Sequence, residues 1–153
     1  MKRERSALVG HSAGAYMAFQ EDAGCGVAAG VVVGIEGIYH LRKLVEEYAD
    51  YEGFVEGAFG RGWKEVDDEI LVEVEDGRKG GGWVVLVHSS QDELLSFGQP
   101  RYWAGVLRER GRVVREVYGA VGNHNGVLEG IELVEVVEEE LKRLETEEVT
   151  KGN

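Results

Sequence analysis

Gly10-His11-Ser12-Ala13-Gly14 is a G-x-S-x-G pentapeptide set between a short apolar run, Ser6 to Gly10, and a helix-like stretch, Ala15 to Gln20. In that context a serine sits on a sharp strand-to-helix turn with its hydroxyl facing outward, ready to act as a nucleophile. The turn is expected to need Gly10 and Gly14 because a Cβ at either position would meet the adjoining strand or helix. The helix that follows offers the Ala13 amide, with a favourable dipole, to a developing oxyanion. Two further residues fit the same chemistry. Asp92 lies in Val87-His88-Ser89-Ser90-Gln91-Asp92-Glu93, and His124 in Gly122-Asn123-His124-Asn125-Gly126. Singly, Asp92 reads as a turn or N-cap acid and His124 as an exposed loop histidine. Together with Ser12 they supply a nucleophile, an acid and a base in the order Ser, Asp, His.

The elements around these residues decide whether they can meet. Val27 to Ile35 is β-branched and glycine-spaced, and Trp83 to Val87 is Trp-Val-Val-Leu-Val; both read as buried strands. Val113 to Tyr118 reads as a further strand. Leu41, Leu44, Val45 and Tyr48 recur at helical spacing. Asp50 is expected to cap a short helix carrying Phe54, Val55, Ala58 and Phe59 and ended by Gly60. Tyr102 to Arg110 reads as a helix stopped by Gly111. Leu133, Val134, Val137, Leu141 and Leu144 mark a closing helix. Residues 61 to 82 are the least regular, with Asp76-Gly77 and Gly80-Gly81-Gly82 as turn signals. The alternation predicts an α/β fold with a mostly parallel sheet and helices on both faces. Ser12, Asp92 and His124 would each follow a strand's carboxyl end, where such sheets bind ligands. The chain order is that of the α/β-hydrolases.

With 153 residues, 43% of them apolar, the chain has room for one packed domain. Residues 1–145 are assigned to it and 146–153 to a charged tail. The net charge of −12 and pI near 4.8 argue against nucleic acid as a partner. Glu129 to Glu148 holds nine acids and two bases, so it carries −7 of the −12, and reads as a solvated helix face. The apolar run Gly26 to Ile35 has ten residues including three glycines, well short of the ~20 a membrane span needs. One cysteine, Cys25, excludes an internal disulfide framework. The opening Met1 to Arg5 is basic, but no signal-like apolar region follows. The expectation is a soluble, cytoplasmic protein. No metal or organic cofactor is expected: His11, His40 and His88 stand apart, H-E-x-x-H is absent, and the triple glycine lacks a following Gly-Lys-Ser/Thr.

Several stretches resemble the fungal kynurenine formamidases. They are Gly37-Ile38-Tyr39-His40-Leu41, Glu47-Tyr48-Ala49-Asp50-Tyr51, Phe54-Val55, Ala58-Phe59-Gly60 with Trp63, Val85 to Ser89, and Asp92 to Ser96 with Gln99. The likeness runs from about residue 6 to residue 141. It implies an α/β-hydrolase that cleaves N-formylkynurenine to kynurenine and formate in tryptophan degradation, a route feeding NAD synthesis. It also implies that Ser12 is the nucleophile, Asp92 the acid and His124 the base. His40 departs from the family, which has an acid after Gly-Ile-Tyr. The family's earlier His-Gly-Gly oxyanion segment has no counterpart here, which predicts a partial hydrolase domain whose nucleophile strand lies at the sheet edge.

In the mechanism this implies, Ser12 attacks the formyl carbonyl while His124, oriented by Asp92, moves the proton to the departing aromatic amine. Phe54, Phe59, Trp63 and Trp103 are candidate walls for the aromatic group. The substrate is then a small molecule, and a homodimer is allowed. A general carboxylesterase with the same triad, and an inactive hydrolase fragment, are the competing readings.

Overall fold

The computed structural model describes residues 6–24, 29–68 and 82–149. Cys25, Asp76-Gly77 and the first two residues of the triple glycine lie outside them.

Four strands form one sheet: β1 (Ala7–His11), β2 (Val31–Ile35), β3 (Trp83–Ser89) and β4 (Val114–Ala120). Their spatial order is β1-β2-β3-β4, and every pairing is parallel. β2 and β3 are wholly buried, which explains their unbroken Val/Leu/Ile sequences. Gly30 precedes β2 as irregular chain, yet its amide still donates to Ser6 O at 2.9 Å, so the strand is shorter than its apolar run.

Helix α1 (Ala13–Gly24) joins β1 to β2. Between β2 and β3 lie α2 (Leu41–Glu47), a 3-10 turn (Ala49–Tyr51), α3 (Glu52–Phe59) and α4, helical over 63–68. Helix α5 (Gly98–Glu109) joins β3 to β4, and α6 (Ile131–Val149) closes the chain. The strands advance one way across the sheet, and right-handed crossovers then put successive connections on the same face. The packing agrees. Val32, Val84 and Leu86 pack with Tyr16, Phe19, Leu44, Val55, Trp103 and Leu107 from the crossovers. Val31, Val33, Ile35, Val85 and Val87 on the other face meet Leu133 and Val136 of α6. Period-2 alternation along β2 and β3 thus serves two separate apolar layers.

Three local expectations need correction. Asp50 lies inside the 3-10 turn, and the N-cap of α3 is Tyr51, which makes no side-chain cap. The 3-10 turn meets the helix end to end, so no extended N-cap residue exists for a carboxylate to use. Helix α5 begins at Gly98, four residues early, because Pro100 falls in the first turn, where its missing N–H has no helical partner to lose. The acidic α6 is mostly solvated, but Glu140 is buried. It accepts from Trp83 Nε1 at 2.5 Å and from Arg115 Nη1 at 2.7 Å. Gly60 (φ 77) and Gly111 (φ 75) end α3 and α5 in the left-handed region.

Candidate active site

Ser12 stands between the last residue of β1 and the first of α1 with φ 55, a left-handed conformation that a residue with a Cβ rarely adopts. Three backbone bonds impose it. Ser12 N–H donates to Ile35 O at 2.9 Å, and Ser12 O accepts from Ala15 and Ile38, each at 3.1 Å. The end of β2 therefore clamps the turn. At Gly10 a Cβ would lie 2.2 Å from the Gly14 carbonyl oxygen, so the close approach requires glycine. Gly14 is different. No described atom lies within 4 Å of a Cβ there, so the expected clash exists at one glycine only. Gly14 brings its carbonyl, not its α-carbon, against Gly10. Ala13 opens α1, and its amide is among those without an acceptor inside the helix.

Asp92 and His124 meet. His124 Nδ1 lies 2.9 Å from Asp92 Oδ2. A carboxylate oxygen only accepts, so Nδ1 carries the hydrogen and Nε2 is left with its lone pair. His124 is 3% exposed, not the open loop residue its glycine-flanked sequence suggests. The two loops are also tied by main chain. Glu93 accepts from His124 N at 2.9 Å, and Gln91 from Gly122 N at 3.2 Å. Gly122 adopts φ 128 where a Cβ would come within 2.7 Å of Val127 N. His11, beside Ser12, completes the approach. Its Nε2 bonds the His124 carbonyl at 2.8 Å, and the two rings lie 4.8 Å apart. The elbow, the acid and the histidine thus share one edge of the sheet.

Asp92 is held rigidly. Its Oδ1 accepts from Leu94 N (2.8 Å) and Leu95 N (3.0 Å). Burial works to raise its carboxyl. Hydrogen bonds with Glu36 and His124, and those two amides, outweigh burial and hold it below the ordinary carboxylate range.

A residue that carried no motif signal joins this cluster. Glu36, immediately after β2, has φ 43 and is fully buried. Its Oε1 accepts from Ser89 N at 2.8 Å, and Oε2 lies 3.2 Å from His88 Nδ1. Burial first, then the hydrogen bond with Asp92, raises its pKa from 4.5 to about 9. Glu36, His88 and Asp92 each place one potential ligand atom within 4.8 Å of the others. His88 Nε2 is engaged on Leu95 O at 3.0 Å and Asp92 Oδ2 on His124, while Glu36 Oε2 and His88 Nδ1 have no hydrogen-bond partner. The arrangement suits sharing a proton.

No family model matches the chain. Among curated proteins, the kynurenine formamidase of Meyerozyma guilliermondii is 32% identical over 148 residues, covering 82% of this chain and 54% of that protein. That of Eremothecium gossypii is 40% identical over 73 residues, 48% of this chain and 29% of its own length. This chain is a relative of the kynurenine formamidases. It spans about half the length of the relatives it matches most broadly. Among solved structures, the acylaminoacyl peptidase of Pyrococcus horikoshii superposes with a TM-score of 0.61 at 19% identity, over 84% of this chain and 21% of that one. The fold is that of the α/β-hydrolases.

The stretch that carries the formamidase likeness is largely architectural. Gln99, wholly buried, accepts from Tyr39 N and His40 N and donates to His40 O. His40 lies 3.0 Å from Asp67, whose carboxylate also accepts from Leu41 N and Arg42 N at the start of α2. The His40 departure is thus met by a buried acid from α4. Gly34 and Gly37 leave room for the Tyr39 ring. Of the aromatic candidates for substrate contact, Trp63 and Trp103 are core residues, 2% and 0% exposed. Phe59 stands edge-on to Tyr16, and Phe54 is exposed. Among the described residues, no helix is long and apolar enough to cross a membrane.

Proposed function

We propose that this chain carries the catalytic residues of a serine hydrolase that cleaves N-formylkynurenine, with Ser12 as nucleophile, His124 as base and Asp92 as the acid that orients it. The observation that carries the reading is the 2.9 Å bond from His124 Nδ1 to Asp92, with His124 held in turn by His11, the residue before a serine at φ 55. It leaves His124 Nε2 as the basic atom, as a serine-activating histidine requires.

The steps follow from that tautomer. Nε2 takes the Ser12 hydroxyl proton as Oγ bonds to the formyl carbon, and Asp92 stabilises the resulting imidazolium. The carbonyl oxygen becomes an oxyanion and accepts from the Ala13 amide at the α1 N-terminus. The carbonyl reforms as the C–N bond breaks, and His124 gives its proton to the departing arylamine, leaving a formyl ester on Ser12. Water, deprotonated by the same histidine, hydrolyses the ester and releases formate. The substrate class rests on the names of the relatives, and the reaction class on the geometry.

Two measurements on the purified chain test this: labelling of Ser12 by a fluorophosphonate, and release of kynurenine from N-formylkynurenine. The reading expects both, with Ser12→Ala abolishing each. Well-folded protein that is not labelled would overturn the hydrolase reading. Labelled protein that cleaves phenyl esters but not N-formylkynurenine would overturn the substrate and leave an esterase.

A further inference from the structure

The cluster behind the acid has a hydrogen-bonding problem that a proton on Glu36 solves. His88 is wholly buried in β3, and its Nε2 faces the Leu95 carbonyl at 3.0 Å. A carbonyl can only accept, so Nε2 bears the hydrogen. Burial lowers the His88 pKa, which keeps the ring neutral, so Nδ1 has a bare lone pair. Glu36 Oε2 sits 3.2 Å from that lone pair, and both side chains are fully buried. An ionised Glu36 would press a carboxylate oxygen against it and bring a second negative charge beside Asp92. A proton on Oε2 removes both conflicts, since Oε1 is already satisfied by the Ser89 amide.

We propose that Glu36 is a positioning residue for the reaction: its neutral carboxyl group, oriented by His88 and the Ser89 amide, shares its proton with the cluster and fixes Asp92 for His124. This rests on the hydrolase reading for its catalytic part. Asp92 is then the one ionised carboxylate of the trio, with Oδ2 on His124 and Oδ1 on the Leu94 and Leu95 amides. The other groups whose charge acts on Glu36 or its partners are Glu93, from the Asp92 loop, and His124, while Tyr39, after β2, is a buried neutral phenol whose pKa burial and Glu36 raise. The left-handed backbone at Glu36 supports the role, because a glycine or asparagine would take φ 43 at less strain.

The first readout needs no activity. Infrared spectra of the chain at pH 7 should show a buried carboxylic-acid carbonyl band that is absent from Glu36→Gln and bleaches in the wild type near pH 9. No such band, or one that survives in Glu36→Gln, overturns the proposal. The second readout is the pH profile of fluorophosphonate labelling. The wild type should show an alkaline limb near pH 9 that Glu36→Gln lacks. At pH 7, Glu36→Ala should label about tenfold more slowly than Glu36→Gln, the scale of one lost charge-assisted hydrogen bond. Equal rates and unchanged profiles would make Glu36 a structural residue only. If Glu36→Ala does not fold, the band and the Glu36→Gln profile decide. Wild type that shows the band but no labelling would defeat the hydrolase reading, and with it the catalytic role, while leaving the shared proton established.

Discussion

The protonated Glu36 makes the stability of this chain depend on pH in a direction opposite to that of most carboxylates. Its pKa is about 9 in the folded protein and 4.5 for the free group. Between those values the native state holds a proton that the unfolded chain has released. Stability from this group is therefore complete below pH 4.5 and is lost progressively as pH rises towards 9. The slope approaches about 1.4 kcal/mol per pH unit. From pH 5.5 to 7.5 the loss comes to about 2.6 kcal/mol, a large fraction of the ~5–15 kcal/mol that keeps a domain folded. Glu36→Gln keeps the shape and offers an amide N–H to His88 Nδ1, but does not titrate. Urea unfolding followed by tryptophan fluorescence at pH 5.5, 6.5 and 7.5 measures both proteins. The stability difference, wild type minus variant, should fall by about 2.6 kcal/mol across that range. Asp22 is common to both proteins and drops out, and Asp92, held below the ordinary carboxylate range, stays ionised across these pH values. Parallel pH dependences would refute the reasoning by showing that Glu36 is ionised in the folded state.

Four other outcomes are expected. Gly10→Ala puts a Cβ 2.2 Å from the Gly14 carbonyl oxygen and should cost about 3 kcal/mol or more in urea melts. Gly14→Ala meets open space and should stabilise by roughly 0.5–1 kcal/mol, through helix propensity. Asp92→Asn should lower the labelling or turnover rate by about 10⁴, because His124 loses its required tautomer; rates within tenfold of wild type would exclude Asp92 as the acid. Arg112 Nη1 lies 3.0 Å from Asp22, whose side chain is 2% exposed, so Arg112→Ala strands a buried carboxylate and should cost about 3 kcal/mol in the same melts.

The parallel sheet and its helices were legible because long apolar runs such as Trp83 to Val87 have few alternatives. The sites after β1, β3 and β4 were legible because G-x-S-x-G, Asp92 and His124 each follow such a run. The sequence did not reveal Glu36, which lies between Ile35 and Gly37 like any acid ending a strand. Its place beside His88 and Asp92 comes from the β2–β3 register, which pairs Ile35 with Val87, and register across a crossover of some fifty residues leaves no local trace. The same holds for Asp67 under α2 and Glu140 against Trp83. Each is an acid whose partner is remote in sequence, and Glu140 lies in the stretch that reads as a solvated helix face. The glycine expectation failed at Gly14 because a motif states which positions are small, but not which atom needs the space.

The strands lie side by side in the order in which they are made. During synthesis each new strand therefore finds its partner already exposed, and the sheet can grow by addition at one edge. The Ser12 turn closes once Ile35 and Ile38 have emerged, since their backbone groups hold it. The Asp92 loop follows with β3, and His124 comes 32 residues later. At roughly 5–20 residues per second that delay is about 2–6 s. Through that interval the nascent chain has a formed elbow and a seated acid but no base. Chemical competence thus arrives after both the elbow and the acid have been made.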